Sequence, residues 1–129
     1  MSTIFTKIIN EEIPGYKIYE DEDVCAFLDI NPIQRGHTLV VPKIEVDDLF
    51  DLPEDVYLNL MSACKDISQL LKKKLNSARI GVIVDGYLVP HAHIHLVPTT
   101  GPYQIDERNQ TPATEEELKE VQALLTSTK

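Results

Sequence analysis

Tryptophan is absent from these 129 residues, cysteine occurs twice and glycine five times. The two cysteines, Cys25 and Cys64, have no paired spacing and so exclude a disulfide framework; each sits in an apolar run and reads as a small core residue. Few glycines and no internal repeat exclude collagen-like and low-complexity classes. Positive charge is also scarce. Twelve Lys+Arg against 21 Asp+Glu leave a formal net charge of −9, the reverse of what a protein needs to grip nucleic-acid backbone. An acidic surface is repelled by anionic lipid as well, so neither a nucleic-acid polymer nor a membrane is expected as a partner. No run approaches the roughly 20 apolar residues of a membrane span. The opening MSTIFTKIINEEIPG turns acidic too soon for a secretion signal. The expectation is a cytoplasmic protein in a reducing compartment.

What is present suits one globular domain spanning residues 1–129: 43% hydrophobic and 26% charged residues, with no linker-like stretch between punctuating Pro and Gly. Ile4, Phe5, Ile8 and Ile9 recur at i, i+4 and predict a short helix over 4–10. Residues 16–20 and 23–29 read as strands joined at Asp21-Glu22, and 37–42 as a third strand. From Pro53 to Leu75, Val56, Leu60, Ala63, Ile67 and Leu70 alternate steps of four and three, the stripe of a long helix. Tyr57, Met61, Cys64, Leu71 and Leu75 widen that face, which predicts either deep burial or contact with a second subunit. Residues 79–84 and 89–97 read as two further strands with a turn at Asp85-Gly86. Thr114 and Glu117 have capping-box spacing ahead of a last helix carrying Leu118, Val121, Leu124 and Leu125. The fold class is α+β: a five-stranded antiparallel sheet, a long inserted helix and short terminal helices.

All four histidines stand in informative places. His91, His93 and His95 alternate within Val89-Pro-His-Ala-His-Ile-His-Leu-Val-Pro98. On a strand, that spacing puts three imidazoles on one face and Ala92, Ile94 and Leu96 on the core face. Three clustered imidazoles serve no structural purpose that apolar residues would not serve better. Two chemistries suit them: zinc ligation, with His37 available as a further ligand, or nucleophilic catalysis by a neutral imidazole. Spacing alone leaves both open.

The run His91-Ala-His-Ile-His-Leu-Val97 resembles the His-x-His-x-His signature of the histidine triad (HIT) superfamily. Ile4-Phe5-x-Lys7-Ile8-Ile9, Glu12-Ile13-Pro14, Ala26-Phe27-x-Asp29-Ile30-x-Pro32 and Gly36-His37-Thr-Leu-Val-Val-Pro-Lys43 follow that family's pattern in order. The similarity covers about residues 3–98 and is greatest to the Hint branch of homodimeric nucleotide hydrolases and transferases. It implies that His93 is the nucleophile at the α-phosphorus, that His95 donates to a phosphate oxygen, and that His91 and His37 complete the shell. It implies a ribose-binding carboxylate at Asp29 and an apolar base cleft of Phe5, Ile8, Ile13, Phe27 and Ile30. The implied activity is hydrolysis or transfer of purine nucleoside phosphoramidates or related conjugates in a homodimer, with no cofactor required and zinc not expected for activity. Dinucleoside polyphosphate hydrolysis, a nucleotide-binding or scaffold role with weak catalysis, and zinc binding are the alternatives. Two departures stand out. The loop before the triad is shortened, with Tyr87 in place of Gln and Leu88 in place of Ser. The 99–129 extension does not match the Hint tail and is expected to shape the leaving-group side, with the partner subunit as one possible source.

Overall fold

The computed structural model describes residues 2–127. In chain order the elements are α1 (Ile4–Ile9), β1 (Lys17–Glu20), β2 (Val24–Leu28), β3 (Thr38–Pro42), α2 (Glu54–Leu75), β4 (Arg79–Ile83), β5 (Ile94–Thr99) and α3 (Glu115–Thr126). All strand pairs are antiparallel and the sheet order is β1-β2-β3-β5-β4, the α+β architecture expected from the sequence.

Local chemistry sets the helix ends. Thr3 caps α1 by accepting the Thr6 amide, and Thr114 caps α3 by accepting the Glu117 amide at 3.1 Å. Each thereby satisfies a donor that the first turn cannot pair. In α2, Glu54 and Asp55 lie in the first turn and Lys72, Lys73 and Lys74 in the last, matching the helix dipole. Asn76 then stops the helix in the left-handed region at φ 53°, a conformation that Asn tolerates.

The sheet separates two apolar layers. On one face Val24, Ala26, Leu28, Val40, Ile94 and Leu96 pack against Leu60, Ala63, Cys64, Ile67 and Leu71 of α2 and Leu118, Val121 and Leu125 of α3. On the other, Cys25, Phe27, Leu39 and Val41 pack against Phe5 of α1. The wide apolar face of α2 is therefore shared. The sheet and α3 cover most of it, while Leu58 and Met61 remain 58% and 39% exposed.

One strand differs from expectation. β5 begins at Ile94, so residues 89–93 are irregular and His91 and His93 precede the strand. Pro90 has no amide to give a ladder. The neighbouring amides bond elsewhere, His91 to the Val89 carbonyl at 2.8 Å and Ala92 to the Val46 carbonyl at 2.7 Å. Asp85-Gly86 makes no two-residue turn either. Ile83 pairs with His95, leaving residues 84–93 as a long connection. The alternation still holds across this segment: Ala92, Ile94 and Leu96 enter the core on the helix side, and the imidazoles turn toward α1.

Candidate active site

The backbone before β3 places His37. Gly36 has φ +91°, and a Cβ there would run into the Leu75 side chain, so only glycine makes this turn. The Ile33 amide then donates to His37 Nδ1 at 3.0 Å. An amide is always a donor, so in the neutral ring the proton of His37 sits on Nε2. From there it faces His95 Nδ1 at 2.9 Å, which must accept, and the His95 proton is consequently on Nε2. The Asp29 Oδ2 contact to His37 Nε2, at 3.6 Å, joins a carboxylate to a neutral imidazole and is no ion pair. Burial, helped by His95, pulls His37 down to about 3. Burial and His93 pull His95 down to about 4, against the opposing charge of Asp85.

The other two rings are set by different groups. His93 Nδ1 lies 2.7 Å from the His91 carbonyl, which can only accept, so Nδ1 carries a proton and, in the neutral ring, Nε2 keeps its lone pair. His91 donates from Nε2 to the Pro42 carbonyl at 2.8 Å. Its Nδ1 accepts from the Thr3 hydroxyl at 2.8 Å; that hydroxyl's oxygen is already accepting the Thr6 amide. Burial lowers the His91 pKa, opposed by the Pro42 bond and by Glu45. Glu45 in turn accepts from the Thr3 amide and the Thr6 hydroxyl, each at 2.8 Å. The start of α1 is thus pinned against His91. Phe5 meets His93 edge-on at 5.0 Å between ring centroids.

A cavity of about 590 Å³ opens beside these rings. His93 and His95 line it, with Asp29 and with Phe5, Ile8, Ile13, Phe27 and Ile30. His91 and His37 stand behind the wall, fully buried, as supports rather than lining. Asp29 is held by the Asn31 amide at 2.8 Å on Oδ1 and by Gln110 at 3.3 Å on Oδ2. Burial raises its pKa, while those two bonds and His93 act the other way. Tyr87 and Leu88 also line it, with Asp85, Gly86 and Val89.

Three groups approach metal-ligand geometry: Asp29, His37 and His95, with ligand atoms within 4.8 Å of one another. They fit a cation poorly. His37 Nε2 carries the proton that the Ile33 amide forces onto it, so that atom has no lone pair to give. His37 instead hydrogen-bonds His95 from behind the cavity wall, with Asp29 in contact at 3.6 Å.

Several contributors were not legible in the sequence. Thr3, Thr6 and Glu45 brace His91 without belonging to any motif. Glu107 and Gln110 of the extension also line the cavity. The extension, expected on the leaving-group side, is instead bonded at the Asp29 side from within the same chain.

The comparisons follow the same residues. A family model described as HIT domain matches residues 10–101. An uncharacterized HIT-like protein of Methanocaldococcus jannaschii is 44% identical over 99 residues, 74% of this chain and 77% of that one. The adenosine 5'-monophosphoramidase of Candida albicans is 34% identical over 109 residues, 75% of this chain and 70% of that protein. A crystal structure of a Hit-like protein from Bartonella henselae superimposes with a TM-score of 0.86 at 32% identity, covering 97% of this chain and 94% of the other. With its histidine run in the expected place and most of its length matched, the chain belongs to the HIT domain family.

Proposed function

We propose that this protein is a nucleotidyl hydrolase or transferase that cleaves purine nucleoside phosphoramidates, or related nucleotide conjugates, at the α-phosphate. One observation carries the reading: the His91 carbonyl takes the Nδ1 proton of His93, leaving a neutral Nε2 on a ring that lines the cavity. A neutral imidazole held in that tautomer is a ready nucleophile. In the first step a bond forms from His93 Nε2 to phosphorus and the phosphorus–nitrogen bond breaks, the amine leaving with a proton from solvent. Water then displaces the histidine and releases the nucleoside monophosphate. His95, with its proton on Nε2, donates to a phosphate oxygen as charge builds there. Asp29 accepts from the ribose hydroxyls, and Phe5, Ile8, Ile13, Phe27 and Ile30 hold the base. A relative named adenosine 5'-monophosphoramidase supports the reading. No step calls for a cofactor.

The charge of the cavity favours an amine over a polyanionic leaving group. Asp29, Asp85 and Glu107 line it, and among the described residues no Lys or Arg does. A polyphosphate leaving group would meet carboxylates with no cation to offset them. The reading includes a cytoplasmic homodimer joined through β4. That strand is an edge of the sheet, Val82 on it is 56% exposed, and an unpaired apolar edge invites a second copy.

The test is intact-protein mass after brief incubation with an adenosine phosphoramidate. Gain of one adenylyl group, lost in His93→Ala, is the expected result. AMP binding without covalent labelling or turnover would leave a nucleotide-binding module and end the hydrolase reading.

A further inference from the structure

We infer that Gln110, on the extension beyond the matched domain, determines specificity for the sugar of the nucleotide. It does so by setting the Asp29 carboxylate and by adding an acceptor of its own. The inference rests on the nucleotide reading above and names what that site selects.

The extension is docked, not draped. Ala113 donates its amide to the Ile30 carbonyl at 3.0 Å and Thr111 to the Pro32 carbonyl at 3.4 Å. Gln110 Nε2 donates to the Asn31 carbonyl at 2.7 Å and to Asp29 Oδ2 at 3.3 Å. Four bonds therefore fix this segment on the loop that carries Asp29, although the family match stops at residue 101. A primary amide has two N–H groups, and both are spent in those two bonds. The orientation of the amide is settled by that count, and its oxygen, Oε1, is left to accept at the cavity wall that Gln110 lines.

Asp29 is then poised for two donors. Oδ1 holds the Asn31 amide and Oδ2 holds Gln110, so each oxygen retains a lone pair. With Gln110 Oε1, three acceptors converge where a vicinal diol supplies two hydroxyl donors. Glu107 also lines the cavity. Two carboxylates, with no lining Lys or Arg among the described residues, repel a phosphate on the sugar, so the hydroxyls must be free. A sugar lacking its 2'-hydroxyl leaves half-buried acceptors without a donor, which is how a hydrogen-bonding site rejects a deoxy analogue.

The experiment measures AMP and 2'-deoxyadenosine monophosphate binding by calorimetry, and kcat/KM for the matching phosphoramidates, in wild type, Gln110→Ala and Gln110→Met. The wild type should prefer the ribose form by on the order of tenfold. In Gln110→Ala that preference should shrink to about threefold or less, through loss on the ribose ligand alone. Gln110→Met keeps the side-chain length without the amide and should behave the same, which separates recognition from packing if the Ala variant melts early. Equal losses on both sugars, or an unchanged preference in both variants, would overturn the assignment. AMP binding with a Gln110-dependent sugar preference but no turnover upholds this inference and ends the hydrolase reading. A wild type that binds neither nucleotide ends both.

Discussion

The Ile33 amide and the His91 carbonyl impose opposite tautomers on His37 and His93. One ring is forced to donate toward its neighbour, and the other is left with its lone pair toward the cavity. In the proposed mechanism this makes the histidines unequal. His93→Ala should cut turnover by on the order of a thousandfold or more and remove the adenylylated species. His95→Ala should cost on the order of a hundredfold, and His91→Ala only about tenfold, since it supports the attacking ring without attacking. Parallel single-turnover assays check the order, and equal small effects would sink it. Burial of these rings also couples stability to pH. His37 is held near 3 and His95 near 4, against 6.5 for the free side chain. Above 6.5 both folded and unfolded chains are neutral and the stability is complete. Below it the unfolded chain binds protons that the folded chain refuses until the pH reaches the folded values. Stability should therefore be lost as pH falls from 6.5 through about 4, by roughly 1.4 kcal/mol per pH unit per histidine. Thermal melts should hold level from pH 7.5 to 6.5 and decline from 6.5 to 5, less steeply in His37→Asn. A flat profile in that range would contradict the argument.

The helices and the first three strands follow from periodicity and caps, and they carry separable parts of the stability. Leu60 in α2 is fully buried between helix and sheet, so Leu60→Ala should cost about 2–5 kcal/mol. Thr114→Ala removes the α3 cap for about 1 kcal/mol. Urea denaturation resolves the two, and similar midpoints for both variants would show the core to be misassigned. The same elements explain what could be read in advance. Stripes such as Leu60, Ala63 and Ile67 repeat within one helix, and strand alternation placed Ala92, Ile94 and Leu96 on the core side. The start of β5 was misread because alternation continues through Val89–His93 while Pro90 and a bond to Val46 break the ladder. Thr3 and Gln110 carry no local signal, for a different reason. Their partners lie 88 and 81 residues away, a distance that no local pattern encodes.

At the scale of the molecule, the two edges of the sheet are unlike. Gln122 of α3 donates to the Lys17 carbonyl of β1 at 2.9 Å, so one edge is partly covered by the chain itself. The other edge, β4, has no partner strand among the described residues. Sedimentation at micromolar concentration should therefore give a dimer, and Val82→Lys should shift it toward monomer by placing like charges across the two-fold. A stable wild-type monomer would remove the homodimer from the proposal. The cavity draws its walls from α1, from the stretch around Asp29, from the segment around His93 and from Glu107 and Gln110, stretches made at different times during synthesis. A nascent chain that has not yet released residue 110 has the histidines but only a half-built sugar wall. On the proposed reading, nucleotide capture is a late event in the life of each molecule, and a bound nucleotide would act as a clasp between the earlier and later parts of the chain.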